Sequence, residues 1–179
     1  MPHIVVLNGV SSVGKSSTAK AIQAIARLPF LHIQMDAFLE MLPPRSFDMP
    51  DGLVFDRRSA SVVDVKAGPL VNKTLLGMRH AVAAMARCGN HIVVDDVWFG
   101  HEDAEYRDLL GAFDLHLVGL HAPLDIVQQR ELARGDREIG LAKGQIDRVH
   151  RDRNYDLQIE TAHKSPEQVA REICTAFDL

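Results

Sequence analysis

The chain has 179 residues, of which 46% are apolar and 25% charged, and a formal net charge of −4. A chain of this length buries roughly two thirds of the surface its unfolded form exposes, so a single core suffices without disulfide or metal staples. The acidic balance argues against a nucleic-acid partner, whose affinity rests on many lysines and arginines neutralising phosphates, and no apolar run approaches the roughly 20 residues of a membrane helix.

The first segment, "MPHIVVLNG", lacks the basic region and cleavage pattern of a signal peptide, which predicts a cytoplasmic protein. Residues 4–9 read as a buried strand, and 16–27 as the helix that follows. Between them stands Gly9-Val10-Ser11-Ser12-Val13-Gly14-Lys15-Ser16, followed by Ser17. This fits G-x-x-x-x-G-K-[ST] in the strand-to-helix context that the motif requires. Glycines let the backbone curl, its N–H groups converge on phosphate oxygens, and the helix start adds a positive dipole end. The turn is therefore expected to hold a nucleoside triphosphate, ATP, with Lys15 bridging the terminal phosphates and Ser16 ligating Mg²⁺.

"FLHIQMD" (30–36) is the second expected strand, and it ends on Asp36. A carboxylate at the carboxyl edge of a parallel sheet stands beside the cradle, where it can orient an acceptor hydroxyl and take its proton. Capping of the following "AFLEML" is the alternative role. Residues 43–67 hold prolines, a glycine and two phenylalanines without a long period. They are read either as a flap over a bound molecule or as a surface excursion with a short hairpin. Val71, Leu75, Met78, Val82 and Met85 then mark the apolar stripe of a long helix that should stop near Gly89.

The third strand, 91–97, closes on Asp95 and Asp96, where a magnesium-holding acid is expected. Side-chain alternation sends the two to opposite sides, so Asp95 is assigned to the metal and Asp96 to the acceptor side. Trp98 and Phe99 could wall an apolar acceptor or pack in the core. A strand at 114–120 and a helix at 123–134 follow. "RELARGDREIG" sets Arg130 and Arg134 one turn apart, with Arg137 just beyond Gly135. These arginines, in a segment of about 127–145, could close over the triphosphate and stabilise the charge spread during transfer. Alternatively, Glu131, Asp136 and Glu138 pair them off on a solvated helix. A last strand at 155–161 precedes a helix with Ser165 as N-cap, Pro166 at its first position and Gln168 closing a capping box.

Strands alternating with helices imply one α/β domain over 1–179, a five-stranded parallel sheet covered on both faces. Cys88 and Cys174 lack the spacing of a zinc or redox pair and are expected to be buried thiols. The nine histidines form no H-x-x-x-H or Cys/His cluster and are expected in packing or at the surface. A switch GTPase is disfavoured: "NKTL" (72–75) lacks the aspartate of N-K-x-D, and Gly100 lies four positions after Asp96 rather than three.

The cradle "LNGVSSVGKS", "MDAFLEMLP", "MARCGNHIVVDDV", "RELARGDREIGLAKGQ" and "YDLQIETAHKS", in this order, resemble the chloramphenicol phosphotransferase family of P-loop kinases over nearly the whole chain. The resemblance implies a three-layer nucleotide-kinase-like fold and ATP- and Mg²⁺-dependent O-phosphorylation of a small hydroxylated molecule. In the family that molecule is the antibiotic, and the aspartate matching Asp36 acts as base. It also implies that the loop from Thr161 to Ser165 lies near adenine. Two departures touch the site: the family has a second glycine after the first in the cradle, and Trp98 replaces a smaller aromatic. A nucleoside or nucleotide kinase, and a non-enzymatic nucleotide-gated module, are the competing readings.

Overall fold

The computed structural model describes residues 1–59, 61–135 and 138–179. Its strands are β1 (His3–Asn8), β2 (Phe30–Gln34), β3 (Leu53–Ser59), β4 (Val62–Ala67), β5 (His91–Asp96), β6 (Asp114–His121) and β7 (Leu157–Glu160). Its helices are α1 (Lys15–Ile25), α2 (Met35–Leu39), α3 (Pro69–Arg87), α4 (Glu102–Leu110), α5 (Leu124–Arg134), α6 (Leu141–Gln145) and α7 (Pro166–Phe177). Five strands form one sheet in the order β2-β5-β1-β6-β7, with every neighbouring pair parallel. β3 and β4 form a separate antiparallel hairpin.

The central strand explains the layers. Ile4, Val5, Val6 and Leu7 are all fully buried, and alternation divides them between two cores. Val5 and Leu7 pack with Ile22 of α1 and Ile173 of α7, whereas Ile4 and Val6 pack with Met78 and Val82 of α3 and Leu110 of α4. Each such side chain contributes roughly 1.5–3 kcal/mol on burial, so both faces hold β1 in place. The α3 stripe faces the sheet through Met78 and Val82, while Val71 and Leu75 reach a smaller cluster with Leu53 of the hairpin. α3 begins on Pro69 and ends before Gly89, which has a left-handed φ of 91°. α7 starts with the expected reciprocal cap: Ser165 Oγ accepts from Gln168 N–H at 3.3 Å, and Gln168 Oε1 accepts from Ser165 N–H at 2.7 Å.

Two local expectations need adjustment, the reach of β2 and the burial of the cysteines. β2 stops at Gln34, and Asp36 lies in the first turn of α2, whose N-cap is Gln34. The segment 43–67 contains the β3–β4 hairpin, in keeping with the hairpin reading of it. Cys88 is exposed because it follows the last turn of α3, and Cys174 is half-buried on a flank of α7. Among the described residues, no helix is long and apolar enough to cross a membrane.

The hairpin is joined to α6 by close backbone approach. Val63 N–H donates to Gly140 carbonyl at 3.0 Å, and a β-carbon on Gly144 would stand 2.1 Å from the Val63 carbonyl oxygen. Gly144→Ala should therefore lower stability by about 1–3 kcal/mol through overpacking. Gly77→Ala, on an open flank of α3 with nothing within 4 Å, should instead raise it by roughly 0.5–1 kcal/mol. Chemical denaturation of both variants checks the contrast, and an unperturbed Gly144→Ala protein would contradict the close contact.

Candidate active site

The cradle is built where β1 turns into α1. A β-carbon at Gly9 would meet the Leu120 carbonyl oxygen at 2.6 Å and Val13 Cγ1 at 2.8 Å, so only glycine fits there. Ser12 and Gly14 adopt left-handed φ values of 61° and 112°, which bend the loop back over the start of α1. The Lys15 ammonium donates to the carbonyls of Gly9 at 2.8 Å and Val10 at 3.0 Å, and lies 4.0 Å from Asp95 Oδ1. Ser16 Oγ donates to Asp95 Oδ2. Ser12 Oγ is buried without a hydrogen-bond partner, and Ser11 N–H donates to Gln145 Oε1 at 2.6 Å. A buried lysine, a curled run of amides and an orphaned hydroxyl suit an anionic, oxygen-rich ligand. The Ser16–Asp95 pair places two oxygen donors side by side, a donor type that suits Mg²⁺.

A cavity of about 820 Å³ opens from the cradle. Ser11, Ser12, Gly14, Lys15, Ser16, Ser17, Asp36 and Asp95 line it. So do Leu53, Phe55 and Val65 of the hairpin, Val71 and Leu75 of α3, and Phe99. The cavity thus brings the cradle, Asp36 and a set of apolar side chains to one space. Arg58, Lys66, Arg134 and Arg148 also border it, and Arg148 stacks over Phe99 with its guanidinium 4.8 Å from the ring centre.

The two acids at the end of β5 take different fates. Leu7 pairs with Asp95 and Asn8 with Asp96, and alternation turns Asp95 toward the cradle and Asp96 into the core under α4. Asp96 is 1% exposed. Its Oδ2 accepts from Trp98 Nε1 at 3.1 Å and Tyr106 OH at 2.8 Å, and its Oδ1 from Val97 N–H at 2.8 Å. Trp98 is fully buried beside it. The expectation that Asp96 and Trp98 face the acceptor is therefore corrected. Neither lines the cavity, because their polar atoms satisfy one another and the indole fills the core beneath α4.

The arginines are also separated. Arg130 binds the carbonyls of Val13 at 3.1 Å and Thr161 at 2.7 Å, tying the cradle to the loop after β7 away from the cavity. Arg134 borders the cavity, and Arg137 lies outside the described residues. Glu131 is buried and accepts from Gly140 N–H at 2.7 Å and Ala142 N–H at 3.1 Å, fixing the start of α6. Glu138 pairs with Arg57 of β3 at 2.6 Å.

No motif assigns a role to Gln145, Arg148 or His32, yet all three stand at or beside the site. His32 Nε2 stands 3.9 Å from Asp95 Oδ2, and burial, opposed by Asp95, lowers its pKa. A signal existed for His32: it lies two residues before Gln34, which pairs with Asp95, and so shares that acid's face. Gln145 and Arg148 meet the cradle and Phe99 only through tertiary folding. Asn8 anchors the floor of the cradle, donating to Val149 carbonyl at 3.0 Å and Tyr155 OH at 2.6 Å while accepting from Trp98 N–H at 3.0 Å.

The family described as "Chloramphenicol phosphotransferase-like protein" matches residues 2–178. A Mycobacterium tuberculosis protein (strain H37Rv), provisionally named an O-phosphotransferase, is 32% identical over 187 residues, covering 97% of this chain and 81% of its own length. Among solved structures, the Mycobacterium tuberculosis APS kinase in complex with AMPPNP and APS matches with a TM-score of 0.70 at 18% identity, covering 99% of this chain and 98% of that one. A gluconokinase from Sinorhizobium meliloti 1021 matches at 0.65 and 19%, covering 99% and 91% respectively. These two likenesses show a P-loop kinase fold.

Burial raises the Asp96 pKa from 3.8 to about 6, against the lowering effect of its hydrogen bonds from Tyr106 and Val97. The native state therefore holds this proton more tightly than the unfolded chain, and the associated stability is present below about pH 4 and lost as pH rises through about 6. The full displacement corresponds to roughly 3 kcal/mol. His150, whose pKa burial lowers to about 4, acts in the opposite direction, so total stability alone does not isolate the effect. The stability difference between the native chain and Asp96→Asn, measured by denaturation across this range, should fall with rising pH. A flat difference would contradict the assigned environment.

Proposed function

The chain belongs to the chloramphenicol phosphotransferase-like family, and from that premise we propose that it is an ATP-dependent O-phosphotransferase acting on a hydroxyl of a small molecule with an apolar body, chloramphenicol or a related alcohol. In this reading Lys15 and the amides from Gly9 to Ser17 bind the triphosphate. Ser16 and Asp95 hold Mg²⁺, which when bound neutralises charge on the terminal phosphates. Asp36 orients the acceptor hydroxyl and takes its proton. The acceptor oxygen bonds to the γ-phosphorus, the bond from that phosphorus to the β–γ bridging oxygen breaks, and ADP leaves. Arg134, with Arg137 in the same segment, stabilises charge on the transferring group, and Arg130 secures the loop after β7 beside the cradle.

The observation that carries this reading is the shared cavity: Lys15, Ser16 and Asp36 line one space together with the apolar side chains of Leu53, Phe55, Val65, Val71 and Leu75. A proton acceptor and a phosphate cradle on the same space suit transfer to an alcohol, and the apolar side chains suit an acceptor with hydrophobic surface. The β3–β4 hairpin beside that space serves as the flap that excludes water from the reaction.

Asp36→Asn should retain ATP affinity while turnover falls by about two to four orders of magnitude, as loss of a general base predicts. Native turnover in that variant would remove the role given to Asp36. Lys15→Ala should lose nucleotide affinity and rate together, measured by calorimetry and by product formation. Mass spectrometry of an ATP reaction with a panel of alcohols, chloramphenicol and nucleosides included, should find one phosphorylated product. Tight ATP binding with no phosphorylated product would favour a nucleotide-gated module, and a phosphorylated nucleoside a nucleoside kinase.

A further inference from the structure

The amino edge of the sheet, opposite the cradle, carries a cluster for which the phosphotransfer reading has no use. His3 of β1 is the register partner of Asp114 of β6, and His116 lies two residues along β6 on the same face. β5 begins beside them with His91, whose Nδ1 accepts from His3 N–H at 3.1 Å. Asp114 Oδ2 stands 2.8 Å from His3 Nδ1, and Asp114 Oδ1 stands 3.3 Å from His116 Nε2. One donor atom from each of the three residues falls within 4.8 Å of the others.

We propose that His3, Asp114 and His116 bind one divalent transition-metal ion of borderline character, zinc being the best match. Two imidazoles and a carboxylate form a three-ligand set that suits zinc and excludes the oxygen-seeking Mg²⁺. Bonds of about 2.0–2.2 Å place tetrahedral ligand atoms roughly 3.4 Å apart, near the His116–Asp114 separation. The Asp114 side chain is 39% exposed, which leaves room on its solvent side for the carboxylate to turn. The two ring nitrogens matter most. Both are buried and face one carboxylate, at 2.8 and 3.3 Å, without a well-aligned hydrogen bond to it. Orphaned buried polar atoms are costly, and a metal ion would satisfy both at once.

The surroundings support fixed ligand directions. Phe177 of α7 stacks on His116 with centroids 3.9 Å apart, and His91 stacks on His3 at 5.4 Å. Contacts of this kind hold a ligand ring at its angle. A metal here would clamp the start of β1 to β6, a link supplied elsewhere only by the ladder and the core. Stability would then depend on metal concentration, while the cradle at the carboxyl edge would be untouched. The inference is therefore independent of the proposed reaction.

The test uses the intact chain with excess Mg²⁺ present to occupy oxygen sites. Titration with Co²⁺ should give one bound ion per chain, with visible bands of a nitrogen- and oxygen-ligated ion and no thiolate charge-transfer band. Zn²⁺ should displace that ion and raise the melting temperature. His3→Ala and His116→Ala should each weaken Zn²⁺ binding by more than the ~10–100-fold that follows loss of an outer-sphere partner, with unchanged nucleotide affinity as the check on folding. Absence of Zn²⁺ or Co²⁺ binding in the native chain, thiolate bands from Cys88 or Cys174, or full retention of Zn²⁺ by the double variant would overturn the proposal. Should the variants fail to fold, the cobalt spectrum of the native chain decides by itself.

Discussion

The pairing of β1 with its two neighbours is the constraint on which the rest depends. β1 is buried on both faces, so its alternating side chains cannot exchange sides without emptying one core into the other. Its last residues fix the partners of the site: Leu7 sits beside Asp95, Asn8 beside Asp96 and also beside Gly119. A one-residue slip of β5 against β1 would exchange the faces of Asp95 and Asp96, burying Asp95 under α4 away from Ser16 and Lys15. Such a buried, unpaired acid costs several kcal/mol, so hydrophobic pattern and charge placement select the same register.

From that fixed edge the site is enclosed by segments that hold one another through backbone contact. Gly140 and Gly144 allow α6 to touch the hairpin, where a side chain would collide with the backbone at 61–63. Glu131 fixes the start of α6 by accepting hydrogen bonds from the Gly140 and Ala142 amides, and Arg57 reaches Glu138 from β3. Gln145 then extends the chain of contacts to the Ser11 amide of the cradle. The hairpin beside the cavity and the segment that follows Arg134 are thus linked to the cradle loop. A displacement of any one of these elements strains the other two.

Local signals made much of this legible, and the missing parts are those that depend on distant segments. The five sheet strands follow from short apolar runs, the cradle from glycine and lysine spacing, and the α7 cap from Ser165, Pro166 and Gln168, because each rests on residues within one turn or one strand. Alternation also predicted that Asp95 and Asp96 diverge. It could not say what lay on the far side, since Tyr106 and the indole of Trp98 reach Asp96 only after α4 packs on the sheet. Gln145 was invisible for the same reason: its partner Ser11 is 134 residues away. The histidines at 3 and 116 lack any recognisable spacing, and only the β1–β6 register brings them together.

Two adjacent acids of the same kind therefore illustrate how environment divides chemistry. Asp95 shares the cradle with a lysine and a serine hydroxyl, in reach of the cavity. Asp96, one residue on, is enclosed with three donors and holds its proton far more tightly than a solvated carboxyl would. It belongs with Asn8, Trp98 and Tyr155 to a polar network just where the apolar run of β1 ends and Gly9 begins. Apolar packing is tolerant of small shifts in direction, whereas hydrogen bonds hold angles as well as distances. Under a loop of closely curled backbone, a satisfied polar floor sets an orientation that a wholly hydrophobic one would leave loose.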